Sequence, residues 1–168
     1  MKYSGDPVAI TIRAVQADDK ARIAKAFRAL EPRSIYLRFF FRKKELGNEE
    51  LRRLTEPDRA REVVLVATIG SGDEEIIVGL GRYARDGGSA SIAFTVEEDY
   101  QGRGIATRLL QHLVRIAREK GISRFEADVL AENTAMLTVF RHSKLPMTQS
   151  AKEGIVHVTL LLGEGAEQ

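Results

Sequence analysis

Apolar and polar residues alternate in seven short stretches of the chain, many of them rich in β-branched residues. Successive side chains of a strand point to opposite faces, so this alternation predicts β-structure. The predicted strands are residues 8–14, 62–69, 76–83, 89–96, 123–130, 147–150 and 155–162. Short turns at Ser71–Asp73 and Asp86–Gly88 join the second, third and fourth strands, which indicates an antiparallel meander.

Other stretches repeat their apolar residues at helical spacing. The clearest helix is predicted over 104–120, and further helices after residue 19, over 34–41, after residue 48 and over 133–141. One face of the long helix collects Ile105, Leu109, Leu113, Ile116 and Ala117. Residues suited to cap or end these helices are Asp18 or Asp19, Asn48 and Gly121.

The order of these elements is a strand, helices, three strands, the long helix, a strand, a helix and two strands. That order predicts one α/β (α+β) domain over residues 8–162, with a mixed, mainly antiparallel sheet flanked by helices. Residues 1–7 and 163–168 are predicted to be flexible termini. A domain of this length buries about 68–70% of its unfolded surface, which is enough for a sizeable core.

Composition narrows the class of protein. The chain has no cysteine, and its three histidines are scattered without ligand spacing, so disulfides are excluded and a metal site is not expected. A net charge of +2 is too small to indicate nucleic-acid binding. Since no apolar run approaches a membrane span and the N-terminus lacks a signal-peptide core, we expect a cytoplasmic protein that does not enter a membrane.

The segment between the fourth strand and the long helix is suited to bind an anion. Gly102 and Gly104 have no Cβ, so the chain can turn tightly and a bulky anion can approach the backbone. The first N–H groups of the following helix have no intrahelical partner and lie at the positive end of its dipole. The context of strand, glycine loop and helix predicts a diphosphate cradle. Residue Thr107 stands where a dinucleotide fingerprint needs its third glycine.

This segment resembles motif A of the GNAT N-acetyltransferases, Q/R-x-x-G-x-G/A, at Gln101, Gly104 and Ala106. The resemblance implies that acetyl-coenzyme A is the co-substrate. It also implies a seven-stranded sheet that splays between the fourth and fifth strands to admit the pantetheine arm. The residues that it assigns to the strand edge are Phe94, Thr95 and Val96, with a backbone N–H as oxyanion donor. Those it assigns to the diphosphate loop are Gln101, Gly102, Arg103, Gly104, Ile105 and Ala106.

The resemblance also assigns residues beyond the fifth strand. Asn133 matches a family asparagine that contacts the cofactor, and it is equally suited to cap a helix. Met136, one turn later, is either near the cofactor arm or part of the core. Phe140 stands where many GNAT enzymes carry a tyrosine that protonates the leaving thiolate. Tyr83 and Tyr100 are the other candidate acids, although each suits a structural role.

Two further segments resemble the Pat-type bacterial protein lysine acetyltransferases. Residues 34–40 match their S-x-Y-x-R-F-F segment, and residues 129–137 match their V-L-x-E-N-x-x-M-L run. In that family the first segment borders the acceptor entrance, which implies that Arg38 and Arg42 face substrate; solvated surface arginines are the alternative. The aromatic residues of this segment suit a helix core.

The fourth strand departs from the Pat pattern at Ser91. The resemblance places the family's glutamate general base there, and a serine is no base at neutral pH. The candidate water-relayed bases are Glu126 and Asp128, which share one face of the fifth strand. Carboxylates paired with Arg124 or solvent are the alternative reading. An α-amine acceptor, with a pKa of about 7.7–8.0, would need less help from a base than lysine.

The sequence therefore predicts an acetyl-coenzyme A-dependent N-acetyltransferase in which an amine attacks the thioester directly. By resemblance the acceptor is a protein lysine, and a small-molecule amine is the alternative within the enzyme class. A third hypothesis is a regulatory module that binds acyl-coenzyme A without efficient transfer, since the cradle is intact while the acid and base positions are changed. A homodimer through exposed strand edges is compatible with the sequence.

Overall fold

The computed structural model describes residues 9–28, 47–97 and 100–163. The predicted helix over 34–41, with Arg38 and Arg42 at the expected acceptor entrance, lies outside the described residues. So do residues 1–7 and 164–168 of the predicted termini.

Seven strands form one sheet in the order β1-β2-β3-β4-β5-β7-β6. Their bounds are Thr11–Ala14 for β1, Glu62–Ile69 for β2, Ile76–Asp86 for β3, Ser89–Val96 for β4, Arg124–Leu130 for β5, Met147–Lys152 for β6 and Ile155–Leu161 for β7. The β4–β5 pair is parallel, and the other neighbours in the sheet are antiparallel. The predicted fold class is confirmed, including the mixed and mainly antiparallel sheet.

Four α-helices lie in the described part of the chain. They are α1 (Lys20–Arg28), α2 (Asn48–Thr55), α3 (Ile105–Glu119) and α4 (Thr134–Arg141). Short 3₁₀ turns at Ala17–Asp19 and Gly72–Glu74 precede α1 and β3. Gly121, predicted to end the long helix, follows α3 with a φ of +80°.

The helices pack on both faces of the sheet. Ile23 of α1 and Leu51 of α2 pack with Val64 and Val66 on one face. The alternate residues of β2 face α3 on the other side, within the main core. The side chains of β2 thus alternate between two apolar clusters, as expected for a central strand covered on both faces.

Two glycines of β3 let α3 approach the sheet closely. A Cβ built on Gly79 would lie 3.0 Å from Cγ2 of Ile105, and one on Gly81 would lie 2.9 Å from Cδ1 of Phe94. Both values are shorter than or at the limit of normal carbon contacts, so larger residues there would push α3 or the Phe94 ring away. The position of the glycine loop therefore depends on small residues in the neighbouring strand.

Asp19 completes a capping box at the start of the 3₁₀ turn that leads into α1, whereas the predicted cap of α2 is wrong by one residue. Asp19 lies in the 3₁₀ turn and is fully buried, and its carboxylate accepts hydrogen bonds from Arg13 at 2.8 and 2.9 Å and from the Gln16 N–H at 2.8 Å. These bonds, led by that of Arg13, hold the pKa of Asp19 below its usual range. Asn48 is the first residue of α2, and the preceding Gly47 is the cap. Local sequence propensity does not predict the ion pair between Asp19 and Arg13, because only the folded sheet brings Arg13 close to Asp19.

Candidate functional site

The sheet opens between β4 and β5. These strands pair only from Ser89 to Ser91, opposite Arg124 to Glu126. Beyond that point β4 continues to Val96 and β5 to Leu130 without pairing to each other. The splay predicted between the fourth and fifth strands is therefore present, and it leaves backbone polar groups of the β4 edge facing the opening.

The opening forms a cavity of about 730 Å³. Its lining comes from residues 92–96 of β4, residues 100–102 and 104–107 before and in α3, residues 127–129 of β5, and residues 132–136 and 138–140. All the predicted cofactor-binding residues except Arg103 belong to this lining. Residues far apart in sequence thus meet around one opening.

The glycine loop has the backbone geometry that its sequence predicts. Gly102 and Gly104 both have a φ of +80°, in the left-handed region that favours glycine. A Cβ on either residue would meet no protein atom within 4 Å, so the space beside the loop is open. Gly104 caps α3, which continues for 15 residues, so the positive end of a long helix dipole points at the cavity.

The polar side chains of the loop contact protein groups. The Gln101 amide donates a hydrogen bond to the Val96 carbonyl at 3.0 Å, which ties the loop to the end of β4. The Arg103 guanidinium lies over the Tyr100 ring, 5.4 Å from its centroid. Arg103 does not line the cavity, so its predicted contact with the diphosphate stays a prediction.

Asn133 is confirmed as the cap of α4. Its side-chain oxygen accepts a hydrogen bond from the Met136 N–H at 3.2 Å. Both residues also line the cavity, so capping leaves Asn133 beside the space that a cofactor would occupy. A contact between Asn133 and the cofactor stays a prediction.

The position of the family acid is an apolar wall. Phe140 is 1% exposed, lines the cavity, and packs against Phe94 with ring centroids 6.2 Å apart. Of the two other candidate acids, Tyr83 is buried against Phe125, where burial raises its pKa, and it does not line the cavity. Tyr100 does line it. Tyr100 is thus the better placed of the two.

The predicted base positions meet on one face of the sheet. Ser91 is exposed, pairs in register with Glu126 and is not part of the cavity lining. Asp128, two residues further along β5, lines the cavity. Glu126 accepts a hydrogen bond from Arg124 at 2.9 Å, which agrees with the structural alternative for that residue. The two carboxylates are therefore not equivalent.

His157 of β7 is a member of this group that was not predicted. Its Nδ1 lies 2.7 Å from a carboxylate oxygen of Asp128, and its Nε2 lies 2.9 Å from one of Glu126. Both ring nitrogens can donate only in the imidazolium form. The bond to Asp128, followed by that to Glu126, raises the pKa of His157, and bonds from Arg124 and His157 lower the pKa of Glu126.

The sequence carries only a weak signal for this histidine. His157 is one of two polar residues in β7, the other being Thr159, and its spacing from Glu126 and Asp128 in the chain shows no pattern. Strand register places it opposite Asp128.

The part of the chain that the structure describes lacks two further features. No helix there has the length and apolar character needed to cross a bilayer. No group of three or more histidine, aspartate or glutamate side chains there is arranged to hold a metal ion.

Comparison with known proteins gives matches over most of the chain. The model of the Acetyltransferase (GNAT) family matches residues 29–143. Acetyltransferase PA5475 of Pseudomonas aeruginosa is 30% identical over 129 residues, which are 76% of this chain and 69% of that protein. Acetyltransferase Pat of Mycolicibacterium smegmatis is 41% identical over 86 residues, which are 49% of this chain and 25% of Pat. The GNAT domain of S. lividans PAT superposes with a TM-score of 0.81 and 32% identity, covering 89% of both chains.

Proposed function

This chain belongs to the GNAT acetyltransferase family, and from that premise we propose that it acetylates the side-chain amines of protein lysines. As a member of this family it is an N-acetyltransferase with acetyl-coenzyme A as co-substrate, so both expectations are confirmed. The lysine acceptor is the finer, proposed part. It is supported by the segments that resemble Pat-type enzymes and by the similarity to two proteins named Pat.

The observation that carries the proposal is the cavity, because its lining joins the glycine loop to a carboxylate. The loop at 101–106 would hold the diphosphate, and the open edge at 94–96 would bind the pantetheine and the thioester oxygen. Asn133 and Met136 would border the arm. Asp128 lines the same cavity, and an anionic side chain there suits a cationic amine.

The reaction needs the amine in its neutral form. A lysine with a pKa of about 10.4 is about 0.1% neutral near pH 7.4, a cost of about 4 kcal/mol. Asp128 would accept the amine proton through a water, and a positioned base typically contributes about 10²–10⁴-fold. Glu126 is a poorer candidate because Arg124 and His157 already occupy both of its carboxylate oxygens.

Acetyl transfer then forms a carbon–nitrogen bond and breaks the carbon–sulfur bond of the thioester. The neutral nitrogen bonds to the acetyl carbonyl carbon, and backbone N–H groups of the β4 edge hold the developing oxyanion. The nitrogen then releases a proton to solvent, the carbon–sulfur bond breaks, and the neutral amide is left. Phe140 has no proton to give, so the sulfur leaves as thiolate and takes its proton from solvent or from Tyr100, which lines the cavity. A thiol with a pKa of about 8.5 is an adequate leaving group for this route.

Transfer of radiolabelled acetyl-coenzyme A into fractionated lysate of the source cell tests the proposal. We expect label in protein, located on lysine by mass spectrometry, and no label with Gly104→Val. Label confined to the small-molecule fraction would contradict the lysine acceptor and establish a small amine instead.

A second candidate function is an acyl-coenzyme A sensor. It is favoured by Ser91 and Phe140, which leave the family's base and acid positions without a titratable group. This candidate predicts tight binding of acetyl-coenzyme A by calorimetry with no label in any lysate fraction. Label in either fraction would rule it out.

A further inference from the structure

We propose that His157 is a positioning residue for acetyl transfer, acting through Asp128. This inference rests on the proposed function. It concerns a residue on β7, outside the cavity lining, whose ring joins two carboxylates of β5.

The sheet register brings the three side chains together. β5 and β7 are antiparallel, and Asp128 lies directly opposite His157. Glu126 is two residues from Asp128, so both carboxylates project from the same face of β5. The imidazole therefore spans the two carboxylates, with Nδ1 on Asp128 at 2.7 Å and Nε2 on Glu126 at 2.9 Å.

The two carboxylates have different surroundings. Glu126 has one oxygen bound by His157 and the other by Arg124, and its side chain is 29% exposed. Asp128 accepts from His157 through Oδ1, lines the cavity, and is 59% exposed. Glu126 thus anchors the ring, while Asp128 presents its second oxygen, Oδ2, which His157 does not engage.

This arrangement restricts the conformation of Asp128. Without His157, the two carboxylates would lie on the same face of one strand with no imidazole bridging them, and their repulsion would favour rotamers that separate them. A freely rotating aspartate spends less time directed at the amine, and misplacement of a base lowers the rate of the chemical step. Acetyl-coenzyme A contacts would not change, because His157 does not line the cavity.

Two conservative variants separate the contacts of the imidazole. His157→Asn places an amide N–H near the position of Nδ1 and keeps the bond to Asp128. His157→Gln places an amide near Nε2 and keeps only the bond to Glu126. We expect kcat to fall about threefold or less in the first variant and about tenfold or more in the second. The KM for acetyl-coenzyme A should stay unchanged in both.

The assay uses labelled acetyl-coenzyme A and a pool of N-terminally blocked peptides that each carry one lysine, with circular dichroism to check folding. A drop in His157→Gln that His157→Asn rescues supports the positioning role. Equal kcat in His157→Gln and the unaltered protein would overturn it, and so would equal losses in both variants. An unaltered protein that acetylates no lysine peptide would overturn the proposed function, and this inference with it. The positioning role of His157 can therefore be rejected separately from the proposed function only if the unaltered protein transfers acetyl.

Discussion

The two ends of the β4–β5 cavity are built from different parts of the chain. The proposed cofactor end is mainly backbone: the loop at 101–106, the first turn of α3 and the edge of β4. The proposed acceptor end has Asp128 in the cavity lining, with Glu126 and His157 bound to one another and to Asp128 beside it, on two strands. A site formed by backbone groups requires a particular residue type at only a few positions, mostly glycine. A side-chain site can be rebuilt from other residues, which explains how the cradle keeps its family pattern while Ser91 and Phe140 depart from it.

The largest expected effect breaks the cofactor end. Gly104→Val should weaken acetyl-coenzyme A binding at least about tenfold, or about 1.4 kcal/mol. Its φ of +80° disfavours valine, and the new side chain would occupy the open space beside the loop. Isothermal titration calorimetry measures the Kd.

Gly87→Val is the matched control for this change. Gly87 also has a positive φ, +67°, with open space around a Cβ, but it lies in the β3–β4 turn away from the cavity. Similar strain is therefore expected in both variants, and only Gly104→Val should lose affinity. A folded Gly104→Val protein with the affinity of Gly87→Val would contradict the cradle assignment.

The next largest effect tests whether Asp128 and Glu126 have different roles at the acceptor end. Asp128→Asn should lower kcat about 100-fold, because it removes the proposed base. Glu126→Gln should cost about threefold, because it removes only the anchor of the His157 ring. Steady-state kinetics at saturating acetyl-coenzyme A compares the two. Equal losses of kcat in the two variants would contradict the different roles proposed for Asp128 and Glu126.

A gain of function tests whether the acceptor end can be rebuilt. Ser91→Glu adds a carboxylate on the same face, in register with Glu126. In the Asp128→Asn background it should recover about tenfold of the lost kcat, since a base acting through water tolerates a shifted position. The single-turnover rate of the double variant measures this. No recovery in a folded double variant would show that position 91 lies too far from the amine.

The smallest expected effect concerns stability. Because the pKa of His157 is raised in the folded protein, its bonds to the carboxylates contribute fully below the unfolded pKa of about 6.5 and are lost as pH rises through the folded value. The Tm difference between the unaltered protein and His157→Gln should therefore shrink by about 1–2 °C from pH 5.5 to pH 9. A difference that grows with pH would mean that His157 is neutral when folded.

Much of the fold and the whole glycine loop could be predicted from the sequence. The seven strands and the long helix are encoded by local periodicity, and Gly102 and Gly104 mark backbone conformations that other residues rarely adopt. Asn133 was open between two roles, and the structure confirms its capping role beside the cavity. These features depend on residues that are neighbours in the chain, so they can be predicted from the sequence alone.

The tertiary structure decided which side chains meet. Asp19 was expected at a cap, and besides completing a capping box it is a buried partner of Arg13, because the sheet brings that guanidinium to it. Glu126 and Asp128 could not be distinguished by sequence, and His157 could not be found. The order β5-β7-β6 places a strand that is about 30 residues away beside β5, and its register places one imidazole between two carboxylates. Register is set by packing over the whole sheet, which no local pattern records.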